Sequence, residues 1–533
     1  MIHGFPEICL YRIHANHQLE IKTDVTVPMR DTSLIAICIS ALAILAALST
    51  SVICDDDSPI RLDDPITTEI SDQSGCMEIV SGSLPYLLPS FEVLDPDGSE
   101  SVDEAGPVDE AGPVDEGELL DEDGSGDEEE AEAMLDYHSV SLMMDLTGIS
   151  ALHDRNITGK GVTIAILDSQ FYYDNETAEK LTRDIVPFYN DSYRKYEVHG
   201  IACAELISEI APEVKLYLVD AGDDEEGVTD AIERLLELDE HIDIVSCSSD
   251  FPFGRFDGED DICEEIAKMT ANGTLWINSA GNQARCHWSG EFNDPDGNGF
   301  NNFSPEDESI NLTLEEGEIA RIWLSWDDDW DAAAQDYDLR LDYPVRGHST
   351  SNNLQKGYRD QRPLETIYLV APEDGTYQIK IRRYDDAGDQ KSPIRLHLFT
   401  TQDLDEHQVQ NSSIGVMGCC RNVITVGAIN ISTMEIEPYS SRGPTVDGRQ
   451  KPDLVAPDNV TTYSYISNGF AGTSASAPYV AGCAALIMEA FKDDPDLDVE
   501  KVLMDSATDL GPLGPDDIYG YGLVNLSNLE VSL

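Results

Sequence analysis

The sequence predicts an α/β fold in which a parallel-sheet domain carries an inserted all-β sandwich and follows a disordered acidic linker. Three patterns lead to this prediction. Short apolar runs alternate with segments of helical spacing, which is typical of a parallel sheet with helices on both faces. A central stretch alternates polar and apolar residues at a period of two, as half-buried strands do. A third stretch is acidic and poor in aliphatic residues, so it cannot form a core.

Continuous apolar runs mark the strands of the parallel sheet, because such strands are buried on both faces. Active residues of such sheets gather at the carboxyl ends of the strands. Asp168 and Asn282 each follow a predicted strand closely, and His199 begins a predicted helix. The predicted strands are residues 162–167, 214–219, 242–245 and 274–277, and the predicted helices include 227–238 and 261–271.

The period-two pattern occupies about residues 293–410 and divides the parallel-sheet domain into residues 137–292 and 411–533. Short strands at regular spacing, with turn residues between them, are typical of a β-sandwich. We therefore expect two packed sheets here. The predicted strands are residues 309–314, 319–324, 337–341, 365–370, 375–381 and 394–399.

Acidic residues far outnumber basic ones, with 104 Asp and Glu against 32 Lys and Arg and a formal net charge of −72. Such a surface repels nucleic acid and anionic membranes, so we expect neither as a partner. The hydrophobic fraction of 41% still suffices for a sizeable core, and we expect a monomer.

Much of this acidity lies in residues 55–136, where VDEAGP occurs at 102–107 and again at 108–113. Dense like charge without aliphatic residues predicts a disordered linker. We interpret the linker as a solvated tether between the N-terminal segment and the folded part. A specific acidic interaction tail is the alternative.

Residues 1–54 have the character of a targeting segment. The run from Leu34 to Val52 is almost wholly apolar, follows Arg30 and precedes Asp55. It is longer than the usual core of a signal peptide and approaches the length of a membrane-spanning helix. We expect export, with cleavage favoured over an uncleaved anchor on the outer face of the membrane, and Met29 is an alternative start.

The 11 cysteines show no CxxC metal spacing. Adjacent Cys419 and Cys420 could be strained or bridged to Cys286, and the sequence leaves the pairing open. In an exported chain the Asn-x-Ser/Thr sequences are candidate glycosylation sites. Such sequences recur along the chain, among them those that begin at Asn190, Asn302, Asn311 and Asn411.

The segment GFAGTSASAPYVAGCAA, residues 469–485, has the composition expected around a nucleophile. Small residues form a turn, and an apolar run spaced like a buried helix follows from Tyr479 to Phe491. Ser474 therefore lies where a hydroxyl can be exposed beside the free N–H groups of a helix N-terminus. A flexible linker that enters a helix is the alternative interpretation of this segment alone.

Four segments in this order resemble the subtilisin-like (subtilase) serine peptidases. They are GKGVTIAILDS around Asp168, VHGIACAELI around His199, INSAGN ending at Asn282, and GTSASAPYVAG around Ser474. IAPEVKLYLV, YSSRGP and KPDLVAPD add further matches. The resemblance covers roughly residues 140–292 and 411–527, and it implies a subtilisin-like parallel-sheet catalytic domain.

The resemblance implies a catalytic role for each of four residues. Ser474 would attack the scissile carbonyl, His199 would move its proton, and Asp168 would orient His199. Asn282 would donate its amide to the oxyanion, together with the Ser474 N–H. Two departures from the family pattern alter the packing near the site. Ile201 and Ala202 stand where a threonine and a second histidine are usual, and Gln170 stands where a glycine is usual.

By the same resemblance, the segment from Ser246 to Asp250 matches the strand that lines the substrate cleft of the family. An acid at the rim of the cleft could favour basic residues in the substrate. The residues assigned to the cleft are Ser248, Ser249, Asp250, Ala280 and Gly281.

The segment that contains Asp294, Asp296 and Asn298 places oxygen ligands at alternate positions beside turn glycines, as calcium loops do. A structural calcium ion is one interpretation, and a solvated acidic turn is the other. We expect no cofactor for catalysis.

Two functions from different classes are consistent with the sequence. The first is an exported serine endopeptidase that hydrolyses proteins or peptides through an acyl-enzyme intermediate. The second is a weakly active or inactive subtilase-like scaffold whose β insertion binds protein or glycan. The insertion is similar to the jelly-roll modules that accompany many secreted peptidases. The intact set Asp168, His199, Asn282 and Ser474 favours the enzyme.

Overall fold

The computed structural model describes residues 67–72, 75–80 and 139–529, apart from 170, 173–176, 178–179, 183, 189–197, 385–393 and 466–468. The predicted export segment, Met29, most of the predicted linker, Gln170 and Asn190 lie outside the described residues. Within the described part of the chain, no helix is both long enough and apolar enough to cross a membrane.

Two strands, β1 (Thr67–Asp72) and β2 (Gly75–Val80), form an antiparallel pair in a unit separate from residues 120–533. They lie within residues 55–136, which we predicted to be disordered, so the structure differs from the expectation at these positions. Both segments contain β-branched residues, which favour strands. The acidic sequence around them favours strands less. For the rest of the linker, disorder stays a prediction.

Seven helices and sixteen further strands are described in residues 139–529. The helices are α1 (Val140–Leu146), α2 (Ile149–His153), α3 (His199–Ile210), α4 (Glu225–Leu236), α5 (Asp261–Ala271), α6 (Thr473–Ala490) and α7 (Val499–Ser506). The strands are β3 (Thr163–Asp168), β4 (Asp184–Phe188), β5 (Lys215–Asp220), β6 (Ile244–Cys247), β7 (Leu275–Ser279), β8 (His287–Glu291), β9 (Ile310–Leu314), β10 (Ile319–Trp326), β11 (Tyr337–Asp342), β12 (His348–Ser351), β13 (Leu364–Val370), β14 (Gly375–Arg383), β15 (Arg395–Thr400), β16 (Val423–Asn430), β17 (Glu435–Ile436) and β18 (Leu454–Pro457).

An eight-stranded sheet has the strand order β17-β16-β7-β6-β3-β5-β4, with β18 also paired to β16. Its pairs are parallel except for β16 with β17. The prediction of a parallel α/β sheet is therefore confirmed. Strands β4, β16, β17 and β18 were not predicted from the sequence.

Strand β3 lies inside this sheet, and all of its residues are buried. Ile164 and Ile166 belong to one hydrophobic core, and Ala165 and Leu167 belong to another. The first core also contains the apolar residues of α3 and α6, and the second contains those of α4 and α5. Helices therefore cover both faces, which explains why the strand is apolar at every position.

The inserted segment forms two four-stranded antiparallel sheets, with the orders β13-β10-β15-β8 and β12-β11-β14-β9. Alternate residues of β11 and β14 point into a shared core that includes Trp326 and Tyr337. Strand β8 begins at His287, before the predicted boundary at residue 293. Its short, polar sequence HWSGE gives no clear period, so only its pairing with β15 assigns it to the insertion.

The insertion packs directly on the parallel-sheet domain. Phe399 of β15 and Trp323 of β10 contact the core that lies over α4 and α5. The Phe399 ring lies 5.3 Å from that of Phe256 and 4.4 Å from that of His287, measured between ring centroids. Burial lowers the pKa of His287 to about 3, so this histidine is neutral at the junction.

Candidate active site

Three of the predicted site residues lie at the end of a strand and at the starts of two helices. The two helices contribute to the core on the same face of the sheet. Asp168 is the last residue of β3, His199 is the first residue of α3, and Ser474 is the second residue of α6. Helices α3 and α6 approach each other closely at Gly482. A Cβ atom added there would lie only 2.6 Å from the Ile210 side chain. The absence of a side chain at Gly482 thus lets the two helices meet.

Asp168 and His199 are joined by a short hydrogen bond. The Nδ1 atom of His199 lies 2.6 Å from Oδ2 of Asp168, which is 4% exposed. The other carboxylate oxygen accepts the backbone N–H of Ser169 at 2.8 Å, which fixes the carboxylate plane. With its Nδ1 proton donated to Asp168, neutral His199 has Nε2 available as a base.

Burial alone would lower the pKa of His199, but the hydrogen bond and the negative charge of Asp168 outweigh burial. The pKa of His199 is therefore raised above its ordinary value of 6.5. A histidine with this environment holds a proton more strongly than a free imidazole, and it can also return that proton as an acid.

Ser474 lies in the first turn of α6, which starts earlier than predicted. Pro478 has no N–H to donate to the carbonyl of Ser474, so that carbonyl accepts side-chain donors instead. The Ser248 hydroxyl donates to it at 3.2 Å and the Cys203 thiol at 3.6 Å. These contacts connect the turn that carries Ser474 to the end of β6 and to α3.

The N–H of Ser474 donates to no acceptor among the described residues, as is usual in the first turn of a helix. Nor does the Ser474 hydroxyl make a hydrogen bond to His199 in this part of the chain. In enzymes without substrate, catalytic hydrogen bonds are often long and tighten in the complex.

Asn282 contacts the turn that precedes Ser474. Its side-chain oxygen accepts the backbone N–H of Thr473 at 3.0 Å and the Thr473 hydroxyl at 3.1 Å. Since a backbone N–H can only donate, these bonds fix which end of the amide is oxygen. The Nδ2 group is thereby left as a donor, 3.0 Å from where a Cβ atom on Gly472 would be. Thr473 was not predicted as part of this site.

Cys203, one helical turn after His199, was also not predicted as a site residue. Its sulfur and one ligand atom each of Asp168 and His199 lie within 4.8 Å of one another. Burial and the charge of Asp168 raise the pKa of the Cys203 thiol well above 9.0, so it is a neutral donor. The spacing of four residues from His199 on a helix is the sequence signal that could have indicated this position.

The residues assigned to the substrate cleft follow β6 and β7. Ser248 donates to the Ser474 carbonyl, Ser249 accepts a hydrogen bond from Asn278, and Ala280 is buried. Gly281 has φ +93°, a conformation that favours glycine, and precedes Asn282.

Asp250 differs from its expected place at the cleft rim. Its Oδ1 atom accepts the N–H groups of Phe251 at 2.8 Å and Met417 at 3.0 Å, and its Oδ2 atom is buried. Burial raises the pKa of Asp250 to about 7, although these N–H donors act in the opposite direction. The carboxylate turns inward because the start of the 3₁₀ turn Met417–Cys419 offers it unpaired N–H groups.

The predicted calcium ligands bond mainly to amides of their own loop. Asp294 accepts the N–H groups of Gly297, Asn298 and Gly299 at 2.8–3.1 Å. The Asn298 amide donates to Asp296 at 3.1 Å and to Glu308 at 2.6 Å. The carboxylates would have to exchange some of these bonds for a cation, so calcium binding stays a prediction.

The only disulfide among the described residues joins Cys263 of α5 to Cys420. Cys286 is a buried free thiol that donates to Asp403 at 3.4 Å, and Cys419 is also free. The suggestion that the adjacent pair is bridged to Cys286 is therefore wrong. Helix α5 and the segment after the 3₁₀ turn lie far apart in sequence, and only the fold brings them together.

Comparison with known proteins shows what this chain is similar to. The sequence pattern of the Subtilase family matches residues 377–522. The chain is 34% identical over 143 residues to "Serine protease AprX" of Bacillus subtilis, a match that covers 22% of this chain and 32% of the relative. It is 39% identical over 90 residues to the "C5a peptidase" of Streptococcus pyogenes, covering 15% of this chain and 8% of the relative. The matches thus span a third or less of these relatives.

A solved structure shows the same fold. The CspB protease of Clostridium perfringens superposes with a TM-score of 0.51 and 18% sequence identity, covering 70% of this chain and 95% of that protein.

Proposed function

We propose that this chain is a serine endopeptidase with Asp168, His199 and Ser474 as its catalytic triad. The match of residues 377–522 to the Subtilase family and the shared fold of the CspB protease support the proposal. The observation that carries the proposal is the 2.6 Å hydrogen bond between Asp168 and His199 at the sheet edge where the first turn of α6 presents Ser474. The substrates are proteins or peptides.

In the proposed reaction, the Ser474 hydroxyl attacks the carbonyl carbon of the scissile peptide bond. His199 accepts the hydroxyl proton at Nε2, and Asp168 stabilises the resulting imidazolium through Nδ1. The same proton then passes to the leaving amine as the C–N bond breaks, which leaves an acyl group on Ser474. Water, deprotonated by His199, releases the acid and restores the hydroxyl.

The negative charge of the tetrahedral intermediate requires donors that are already in place. The amide Nδ2 of Asn282 and the backbone N–H of Ser474 are suited to this task. The first is oriented by the two bonds to Thr473, and the second has no acceptor among the described residues. Both donors lie at the positive end of the 18-residue helix α6, which also favours an anion.

Covalent labelling of the full chain with a fluorophosphonate probe tests the proposal. We expect labelling and casein cleavage by the wild type and neither by Ser474→Ala. Ser476→Ala is the matched control, since Ser476 lies on the same helix and donates to the Ala456 carbonyl at 3.1 Å. Absence of labelling in a folded wild-type sample would reject the peptidase and favour the scaffold that binds protein or glycan.

We further propose that the protein is exported, either secreted or anchored at the outer face of the membrane through the run from Leu34 to Val52. The similarity to the "Extracellular serine protease" of Serratia marcescens, 44% identical over 55 residues, supports export. That match covers 10% of this chain and 5% of the relative. The exposed Asn411 is accessible for glycosylation in that case. Fractionation of expressing cells distinguishes the secreted form from the anchored form.

Calcium at the loop of Asp294, Asp296 and Asn298 is a separate proposal, in which the ion has a structural role. It is supported by three oxygen-bearing side chains in one short acidic turn. Calorimetric titration of the metal-free chain with calcium tests it.

A further inference from the structure

Asp458 is a buried carboxylate that the triad does not use. It directly follows β18 and is 0% exposed. One of its oxygens, Oδ2, accepts the backbone N–H of Gly472 at 2.9 Å and also the hydroxyl of Tyr439. The other oxygen, Oδ1, is buried and has no hydrogen-bond partner among the described residues.

Burying the Asp458 carboxylate is unfavourable in free energy. Burial and the nearby charge of Glu437 raise the pKa of Asp458 to about 7, against the two donors, which lower it. No lysine or arginine of the described residues forms an ion pair with Asp458. A buried charge without a cationic partner is unfavourable unless its hydrogen bonds compensate. Its bonds to Tyr439 and Gly472 are therefore the features that stabilise Asp458 at this position.

One of those bonds controls the turn that carries the nucleophile. Gly472 precedes α6 and has φ +106°, and Ser474 lies two residues later. Asp458 holds the N–H of Gly472, while Asn282 holds the N–H of Thr473. The two bonds to successive N–H groups fix the backbone from which the Ser474 side chain projects.

The other bond connects to the turn that carries Asn282. The carbonyl of Tyr439 accepts the N–H of Ala284 at 3.0 Å, and the N–H of Ser441 donates to Gly281 at 2.9 Å. Asn282 lies between these two contacts. Tyr439 is thus attached through its backbone to the Asn282 turn and through its hydroxyl to Asp458.

We propose that Asp458 and Tyr439 are positioning residues that hold Ser474 and the oxyanion donor Asn282 in register with each other. The inference rests on the proposed peptidase function. Asp458 does not touch the substrate and acts through the N–H of Gly472. An anion bonded at the N-terminus of α6 is also favoured by the helix dipole, which explains the use of a carboxylate there.

Three variants of the full chain test this inference: Asp458→Asn, Tyr439→Phe and the double variant. Asp458→Asn keeps the shape of the side chain but weakens the bond to Gly472. We expect kcat for a chromogenic peptide to fall about 10-fold or more while KM stays within about twofold. The reason is that small displacements of the reacting groups slow the chemical step strongly. Because the two residues act as a pair, the double variant should lose no more than Asp458→Asn alone.

The matched control is Glu365→Gln. Glu365 is also a fully buried acid with a pKa raised by burial to about 7, and it accepts hydrogen bonds from Asn353 and Gln355 in the insertion. We expect this variant to change the melting temperature without changing kcat. A kcat of Asp458→Asn and Tyr439→Phe equal to that of the wild type would overturn the inference.

Hydrogen exchange of residues 471–476 gives a readout that does not need activity. We expect faster exchange of this segment in Asp458→Asn, with unchanged exchange in β11 and β14 of the insertion. Unchanged exchange at 471–476 would reject the positioning role even if the wild type were inactive. A wild type that binds no fluorophosphonate would reject the proposed function, and the exchange data would then decide the positioning role alone.

Discussion

At the scale of single residues, the environment of His199 predicts how the proposed peptidase activity depends on pH. Asp168 raises the pKa of His199 above 6.5 through a hydrogen bond and its charge. A base must be neutral to accept a proton, so the proposed activity would depend on the form of His199 present above that pKa. The stabilisation that Asp168 gives to protonated His199 is present below pH 6.5 and is lost as the pH rises through the folded-state pKa. We therefore expect the proposed activity and this part of the stability to change with pH in opposite directions.

We expect kcat/KM to rise with pH along a limb whose midpoint lies above 6.5, the ordinary pKa of histidine. Asp168→Asn should move this midpoint down, because the charge and the charge-assisted bond are lost. It should also reduce kcat by about 10⁴, as loss of the orienting acid does in serine peptidases. The measurement is a pH–rate profile of both proteins, and an unshifted midpoint would contradict the role of Asp168.

Asn282 provides a second test at this scale. Asn282→Ala should lower kcat by about 10²–10³ with little change in KM, which is typical of losing one oxyanion donor in serine peptidases. Gln283→Ala, at the neighbouring position, serves as the control and should retain kcat. Steady-state kinetics on one peptide substrate measures both variants. Equal losses in the two would show that the turn, and not the Asn282 amide, is responsible.

At the scale of elements, the segment 415–420 contacts Asp250, one of the residues that the sequence assigns to a substrate cleft. Its 3₁₀ turn supplies an N–H to Asp250, and its last residue, Cys420, forms the disulfide with α5. The carboxylate of Asp250 accepts a hydrogen bond from this segment, and selection of basic substrate residues by Asp250 stays a prediction. The disulfide and Asp250 thus fix the same loop from two sides.

Removing this disulfide should destabilise the folded chain. The bridge closes a loop of 157 residues, for which chain entropy alone gives about 5 kcal/mol as an upper value. We expect Cys263→Ser/Cys420→Ser to lower the urea midpoint of unfolding, and Cys286→Ser, a free buried thiol, to change it much less. If reductant left the wild-type midpoint unchanged, the bridge would not contribute to stability.

At the scale of the whole molecule, buried carboxyl groups are distributed over both the parallel-sheet domain and the insertion. Burial raises the pKa of Asp250, Asp458 and Glu365 to about 7. The insertion also shares the core of the parallel-sheet domain through Phe399 and Trp323. Because the two parts share a core, we expect ionisation of any one of these acids to change the free energy of unfolding of residues 139–529 as a whole.

We expect the free energy of unfolding to fall as the pH rises from about 4.5 to about 7. The folded-state pKa of each of these acids lies above its ordinary value of 3.8 or 4.5. In that window these three acids make the folded chain bind more protons than the unfolded chain. The neutral His287 offsets only one of them, so higher pH favours unfolding. Asp342, whose pKa is lowered by Arg340 and Lys380 against the effect of burial, titrates below the window.

Urea unfolding at constant ionic strength, repeated across this pH range, measures the slope. Glu365→Gln should give a flatter dependence on pH, because one of the buried titrating groups is removed. A stability that increases with pH between these limits would contradict the assignment of protonated buried acids.

Much of the architecture could be predicted from local patterns. The run of residues 162–167 predicted β3 within one residue, because a strand covered on both faces must be apolar at every position. The alternation at 337–341 likewise predicted β11. Strand β16 contains the short apolar run VITV, which by itself does not distinguish a strand from a buried helix, and β8 has no readable period. These two strands are defined by the strands with which their backbone N–H and C=O groups pair, and local sequence does not indicate that pairing.

The sequence by itself determined the parallel sheet and the four candidate site residues, because these follow from short segments with a clear period or composition. Only the tertiary structure decided that Asp250 turns inward, that Cys420 pairs with Cys263, and that Asp458 meets Gly472. The physical reason is the same in each case. A buried acid or thiol takes the partner that the fold places beside it, and contacts between distant segments leave no periodic signal in the sequence.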